Sequence, residues 1–258
     1  KLLRESGAAK AAKRAERTAA EGLIEIATNA DSTAAAIIEL NSETDFAARN
    51  EQFEMTAKTI ASAALEAKAG TVEKLEAAPA PGLDKTVAEA VKELLGKIGE
   101  KITLTRTACA EGDLVVSYIH PPGKIGVVVQ AKVDGADRDI VKDQLRNVAM
   151  HIAAMAPRFL TEDEVDEKTL ETERDIAANI ARKEGKPENI IPKIVEGKMK
   201  AFYKEAVLLD NVFAMDTSKT VRQVVEEAGK EAGGSISIER FIRFKTGEHA
   251  REEAAAES

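Results

Sequence analysis

The chain has 258 residues, a formal net charge of −8, and only seven Phe, two Tyr and no Trp. This acidity argues against specific nucleic-acid binding, which needs a basic surface, and no apolar run reaches the roughly 18 residues of a membrane span. With one cysteine, Cys109, and no secretory leader, the protein is expected to be cytoplasmic and to make no membrane contact.

In chain order, the first segments predict a helix, a β-hairpin and two further helices. Residues 1–20 are basic and rich in Ala, which favours a helix. Strand-like segments at 22–28 and 34–40 flank a group of turn-forming residues, which is typical of a hairpin. Apolar residues at helical spacing then predict helices at 47–67 and 85–96. Residues 102–109 predict a strand.

The second half of the sequence repeats this plan. AEG opens the first hairpin at 20–22 and recurs 90 residues later, and a helix at 138–155 follows the second hairpin. KTVAEAV at 85–91 recurs as KTVRQVV at an offset of 134, and the two offsets together indicate an insertion of about 44 residues. Residues 163–208 fit it and predict a helical hairpin, a short antiparallel coiled coil. A helix at 219–229 and a strand at 236–244 close the chain.

These segments predict an α+β fold of two related subdomains, each an antiparallel sheet with helices packed on one face, plus the helical-hairpin insertion. The predicted divisions are the end of an N-terminal helical module with a linker helix (1–20), a first core subdomain (21–110), the first part of a second (111–162), the coiled-coil hairpin (163–208), the closing part of the second subdomain (209–245) and an acidic tail (246–258).

Motifs of common catalytic and phosphate-binding sites are absent from the sequence, namely GxxxxGK[ST], GxGxxG, HExxH and GxSxG. The three histidines lie far apart, without metal-ligand spacing. Nothing in these motifs or spacings therefore specifies an enzyme or a metal site. A small acidic hydrolase that uses its carboxylates stays open as an alternative, without any motif that supports it.

The segment NSETDF, between a predicted strand and a helix, is not explained by the fold alone. Thr44 or Asp45 can cap the helix, and Phe46 can staple onto it, so a structural interpretation stays open. At the offset of 90, however, the second copy has Gly135 and Ala136 in place of Asp45 and Phe46. This asymmetry favours an aromatic anchor and a carboxylate that are presented together to a partner.

His151 lies beside the apolar stripe of the helix at 138–155, and its counterpart in the first copy is Ala61. One interpretation is a half-buried histidine with a structural hydrogen bond. The other is a partner contact next to a loop that carries Ile125 and Gly126.

Eight segments resemble, in the same order, those of the bacterial elongation factor Ts family, the guanine-nucleotide exchange factors of elongation factor Tu. They are SGAAKAAKRAERTAAEG (6–22), ELNSETDFAA (39–48), KIGEKI (97–102), GKIGVVV (123–129), MHIAAMAP (150–157), EGKPENIIPKIVEGKM (184–199), SKTV (218–221) and RFIRF (240–244). The resemblance implies two related core subdomains with a projecting coiled coil. It also implies a small helical module ahead of the chain, of which only the last turn, near Lys1–Ser6, is expected here.

The same resemblance implies a translation elongation factor that binds the GTPase elongation factor Tu and promotes GDP release by disturbing its magnesium and phosphate site. Such a factor needs no bond chemistry, so the resemblance implies no catalytic residues, no cofactor, no metal and no direct nucleotide binding. Phe46 is expected to enter an apolar pocket of the GTPase, and Asp45 to disturb the residues and water around the metal. The residues that it assigns to the GTPase contact are Thr44, Asp45, Phe46, Ile125, Gly126, His151, Ala214 and Met215. A non-enzymatic scaffold that binds proteins through its helical hairpin is the alternative function.

Overall fold

The computed structural model describes residues 19–249, so the predicted helix at 1–20 and most of the acidic tail lie outside the described residues, apart from their inner ends. The chain forms two compact units: the described parts of Lys1–Gln130 and Ile242–Ser258 make the first, and Ala131–Phe241 the second. The predicted boundary between residues 110 and 111 falls at the end of the last strand of the first sheet, Ile102–Glu111, whereas the compact units divide at 130 and 241.

Residues 19–249 contain six strands and eight α-helices, which confirms the predicted α+β class with two antiparallel sheets. The strands are β1 (Glu21–Thr28), β2 (Ala34–Ser42), β3 (Ile102–Glu111), β4 (Leu114–His120), β5 (Ile125–Asp134) and β6 (Ser235–Lys245). The helices are α1 (Asp45–Ala48), α2 (Glu51–Glu66), α3 (Val72–Glu76), α4 (Val87–Ile98), α5 (Arg138–Met155), α6 (Glu167–Lys183), α7 (Ile191–Ala206) and α8 (Val221–Glu231). None of the helices described in 19–249 is long and apolar enough to cross a membrane.

The first sheet has the order β1-β2-β3, with both pairs antiparallel and Leu23 opposite Leu40. Its strands alternate their side chains between two faces. On one face, Ile38 and Leu40 join a core that α2, α3 and α4 complete, with Phe53 of α2 fully buried in it. The prediction of helices on one face of the sheet is therefore confirmed.

The other face of the first sheet is also buried. Ile24 and Ile37 pack there with Val115 of β4 and Val128 of β5. Gly126 makes this contact close, because a Cβ added to it would lie 2.4 Å from Cγ2 of Ile24. The first sheet is thus a middle layer, and the second sheet has the order β4-β5-β6.

A buried carboxylate fastens the end of β6 to the first sheet. Glu39 has no exposed surface, and its Oε1 accepts hydrogen bonds from Asn41 Nδ2 at 3.0 Å and from the backbone N–H of Gly247 at 2.7 Å. Its Oε2 accepts from Arg106 Nε at 2.6 Å, and that guanidinium lies over the ring of Phe244, 4.2 Å from its centroid. Both oxygens of this buried charge therefore accept hydrogen bonds, one of them from a cation.

The second unit contains α5 to α8 and repeats local features of the first. Helix α4 begins with a capping box between Thr86 and Glu89, and α8 begins with one between Thr220 and Gln223, at the offset of 134 that the sequence indicated. The predicted helical hairpin is formed by α6 and α7, which pack against each other. Pro192 lies near the start of α7, where its missing N–H costs nothing.

Candidate functional site

The turn that carries Thr44, Asp45 and Phe46 is held from both sides. Thr44 is the N-cap of α1, and its Oγ1 accepts a hydrogen bond from the N–H of Ala47 at 3.3 Å. The Glu100 carboxylate binds the same residue. It accepts one hydrogen bond from the Thr44 N–H at 3.0 Å and another from the Thr44 hydroxyl at 2.7 Å. Thr44 therefore has the capping role that the sequence left open, and it fixes where α1 starts.

Phe46 points away from the protein. Its side chain is 89% exposed, the most of any large apolar side chain in residues 19–249, while the next two residues of α1, Ala47 and Ala48, are buried. The interpretation of Phe46 as a staple onto the following helix is therefore wrong. Leaving a Phe in water forgoes about 2 kcal/mol of burial free energy, so this ring stabilises nothing within the chain.

Asp45 is not a free carboxylate, because two cations bind it. Its Oδ2 lies 2.6 Å from Arg49 Nη2, one helical turn further on, and its Oδ1 lies 2.7 Å from Nζ of Lys124. The hydrogen bond from Lys124 is the main cause that lowers the pKa of Asp45, and it outweighs the effect of partial burial. The carboxyl is therefore ionised at neutral pH.

Lys124 connects this turn to the start of β5. Its ammonium also contacts Glu21 Oε2 at 2.9 Å and donates to the carbonyl oxygen of Gly22 at 3.0 Å. Burial lowers the pKa of Lys124, but the hydrogen bonds from its ammonium to Asp45 and Glu21 outweigh this and raise it. The lysine is therefore a fixed positive charge in the middle of an acidic cluster.

Ile125 and Gly126 directly follow this lysine, so the structure brings them close to Asp45. They begin strand β5 and do not form the loop that the sequence suggested. Ile125 is half-buried, whereas Gly126 is buried against Ile24 and Ile37. Gly126 thus has a packing role of its own, since any larger residue would push the strand away from the first sheet.

Sequence reasoning missed two residues of this cluster, Lys124 and Glu100. Both lie far from Thr44 and Asp45 in the chain, and no local pattern connects them. The only available signal was position: Lys124 precedes Ile125 within the GKIG segment, and Glu100 follows Gly99, which ends α4 in a left-handed conformation.

The second unit contains the other three predicted contact residues. His151 is only 1% exposed and is hydrogen-bonded inside the unit, which supports the structural interpretation, with deeper burial than expected, and leaves almost no surface for a direct partner contact. Its Nδ1 accepts from the N–H of Ala214 at 3.1 Å, and its Nε2 lies 3.0 Å from Asn211 Oδ1. The Asn211 amide nitrogen donates to the carbonyls of Lys204 and Val207, which fixes its oxygen toward the histidine.

These contacts define the protonation of His151. Because Nδ1 accepts a hydrogen bond and Nε2 faces an oxygen, the neutral tautomer with the proton on Nε2 fits both partners. Burial is the main cause that lowers the pKa of His151, and the hydrogen bond to Asn211 opposes it in part. We conclude that His151 supports the segment that it binds from beneath.

The supported segment presents Ala214 and Met215. Both are exposed, while Phe213 beside them is buried and its ring lies 5.6 Å from the His151 ring. The predicted residues therefore fall into two groups, one in each unit, and each group places an exposed apolar side chain on a rigid support.

The described residues contain no group of three or more His, Cys, Asp or Glu placed to hold a metal ion. An open groove of about 410 Å³ lies between α2 and α4, with Met55 and Leu83 among its lining residues, and it contains none of the predicted site residues. The candidate site is thus a pair of surface projections, which suits contact with another protein.

Comparison with known proteins gives a consistent family. A sequence model described as Elongation factor TS matches residues 43–248. Elongation factor Ts of a Nitratiruptor species is 45% identical over 252 residues, which cover 96% of this chain and 82% of that protein. The proteins of the same name from Bartonella bacilliformis and Deinococcus radiodurans are each 44% identical, covering 97% and 95% of this chain and 83% and 86% of their own lengths.

Proposed function

Because the chain belongs to the elongation factor TS family and is therefore a translation elongation factor, we propose that it is the guanine-nucleotide exchange factor of the GTPase elongation factor Tu. It binds the GDP-bound GTPase in the cytoplasm through the Thr44–Phe46 turn and the Ala214–Met215 segment. It then promotes GDP release by disturbing the magnesium and phosphate site of the GTPase. In this role it is not an enzyme and needs no cofactor.

The observation that carries this proposal is the exposure of Phe46. A large aromatic ring at 89% exposure, on a turn that a cap and two ion pairs hold in place, suits an anchor that becomes buried in a partner. The preformed turn loses little conformational entropy on binding, so more of the anchor's burial energy is available to distort the partner.

Thermodynamic linkage explains how binding alone can release a nucleotide. An exchange factor lowers nucleotide affinity by the same factor by which the nucleotide lowers the affinity for the exchange factor. A bound magnesium ion is the largest positive charge beside a diphosphate, so a wedge that displaces its surroundings weakens nucleotide binding strongly. No bond to the nucleotide needs to be made or broken.

Release of labelled GDP from elongation factor Tu tests the proposal directly. We expect Phe46→Ala to slow release about thirtyfold, since truncating a central anchor commonly costs about 2 kcal/mol. The thermal melt should stay at the parent value, because the ring buries nothing within the chain. Met55→Ala is a matched control, since Met55 is also exposed, at 60%, on the neighbouring helix α2.

Equal release rates for the parent chain and Phe46→Ala would show that the turn is not the site of exchange. Failure of the parent chain to accelerate release at all would contradict the proposed function itself.

The scaffold alternative has one observation in its favour. Ile176 and Ile180 on α6 and Ile190 before α7 leave about half of their side-chain surface exposed. These residues suit a protein contact made by the hairpin, and excision of the hairpin, described below, separates this function from exchange.

A further inference from the structure

We propose that Lys124 is a positioning residue of the exchange site, and that Asp45 acts within the chain as its partner, so that the Phe46 ring is presented in one direction. This inference rests on the proposed exchange function and changes the role expected for Asp45. The resemblance expects Asp45 to act on the metal site of the GTPase, whereas its ion pairs with Arg49 and Lys124 engage its carboxylate within the chain.

The first argument is the complete use of the Lys124 ammonium. A lysine has three N–H donors, and here three acceptors surround it: Asp45 Oδ1 at 2.7 Å, Glu21 Oε2 at 2.9 Å and the Gly22 carbonyl at 3.0 Å. Its side chain is only 31% exposed. A surface lysine that merely solvates the protein would keep most of its donors in water.

The second argument is that Lys124 stands on fixed backbone. The carbonyl of Gly123 accepts from the N–H of Ile24 at 2.8 Å, and the carbonyl of Lys124 itself accepts from the N–H of Thr246 at 2.9 Å. The next residues enter β5, where Gly126 packs closely on Ile24. The ammonium therefore has a defined position from which to hold the turn.

The third argument is that α1 needs such support. A helix of four residues, Asp45–Ala48, is far too short to be stable by itself. Its buried side chains, Ala47 and Ala48, are small, and the exposed Phe46 ring adds nothing to its packing. Glu100 holds the cap residue, and the ion pair of Asp45 with Lys124 adds a polar contact between the helix and the start of β5.

The fourth argument concerns what Asp45 has left to offer a partner. One oxygen contacts Lys124 and the other contacts Arg49, so both are already engaged by cations. To act on a metal site the carboxylate would have to leave these partners. A role inside the chain needs no such rearrangement.

A double-mutant cycle on the 258-residue chain tests this inference, with release of labelled GDP from elongation factor Tu as the readout. The variants are Lys124→Met, Asp45→Asn and the two combined, with melting temperature measured for each. We expect each single change to lower the release rate per unit concentration about fivefold, and the double variant to lose no more than either one. Lys124→Arg should restore most of the rate, because it keeps the charge and the donors.

Lys68→Met is the matched control, since Lys68 makes an ion pair of 2.9 Å with Glu111 across the same unit, away from the turn. It should leave exchange unchanged. Parent-like exchange by Lys124→Met overturns the inference, and so do additive losses in the double variant, which would mean that Asp45 acts on the GTPase directly. In either case Phe46→Ala still slows release if the proposed function holds, so the two failures are distinguishable.

Discussion

At the scale of the residue, His151 is a buried side chain that holds an exposed segment in place. Its two hydrogen bonds join Asn211, which covers the last carbonyls of α7, to Ala214, which precedes the exposed Met215. No charged side chain is among these contacts. The ring is therefore stable only as a neutral group, and its protonation would place an unpaired charge in the interior.

The pH dependence of stability follows from this burial. Because the folded-state pKa of His151 lies below its ordinary value of 6.5, the unfolded chain takes up the proton first as the pH falls. The contribution of His151 is fully present above about pH 6.5 and is lost as the pH falls below it toward the folded-state pKa. Between about pH 7.5 and about pH 5.5 we therefore expect the free energy of unfolding to fall because of this group.

Urea unfolding at those two pH values measures the effect against His151→Gln, which cannot titrate. The difference in unfolding free energy between the two pH values should be smaller in the variant than in the parent. The same difference in both proteins would mean that His151 is already charged or already exposed in the native state.

The residues of the site were predictable to unequal degrees. Phe46 could be found because the second copy has Ala136 at the matching position, which indicates that the fold does not require a Phe there. The burial of His151 could not be predicted, because its position beside an apolar stripe does not reveal its hydrogen-bond partner Asn211, which lies 60 residues away in the chain. Lys124 was not predicted for the same reason, because its partners Glu21 and Asp45 belong to other elements.

At the scale of the element, the two capping boxes are a feature of the internal repeat whose effect on stability can be measured in both copies. Thr86 and Thr220 each accept a hydrogen bond from the backbone N–H three residues further on, and the side-chain oxygens of Glu89 and Gln223 accept one from the backbone N–H of the cap residue. The two helices therefore start in the same way despite different sequences on their exposed faces.

We expect Thr86→Ala and Thr220→Ala each to lower the unfolding free energy by about 1 kcal/mol, as the loss of an N-cap oxygen commonly does. Chemical denaturation of both variants measures this, and Thr86→Ser and Thr220→Ser, which keep the oxygen, should stay close to the parent. A loss at only one of the two positions would argue against equivalent roles in the two copies.

Most elements were predictable because their signals are local. Periodicity identified α5 at its observed bounds, and turn residues identified the hairpin of β1 and β2. The burial of both faces of the first sheet was not predicted, although the run AAAIIEL in β2 lacks the alternation of a half-exposed strand. Which strands cover the second face depends on contacts distant in sequence, such as those of Val115 and Val128, and no local pattern shows them.

At the scale of the whole molecule, the helical hairpin is an insertion whose two ends meet at a base formed by residues 158–159 and 206–208. The N–H groups of Arg158 and Phe159 both donate to the carbonyl of Ala206, and Leu208 donates to Phe159, so the chain enters and leaves at one place. Val207 and Leu208 are fully buried there. Removal of residues 163–208 would therefore take away core residues together with the hairpin.

A shorter excision separates the two candidate functions. Replacing residues 176–198 with a four-residue Gly/Ser linker keeps the base and removes Ile176, Ile180 and Ile190 together. Since the exchange turn lies outside the hairpin, we expect GDP release from elongation factor Tu to stay within about twofold of the parent, a difference of less than 0.5 kcal/mol. Loss of release together with loss of binding, in a variant that melts like the parent, would favour the scaffold function.

The bond from Gly247 to Glu39 sets a limit on where the chain can be shortened. A truncation that removed Gly247 would leave a fully buried carboxylate with only Asn41 and Arg106 to hold its charge. The innermost part of the acidic tail thus satisfies a buried charge of the first sheet. A protein shortened for crystallisation should therefore keep Gly247 and Glu248, because one that stops at the end of β6 would lack the N–H that Gly247 donates to Glu39.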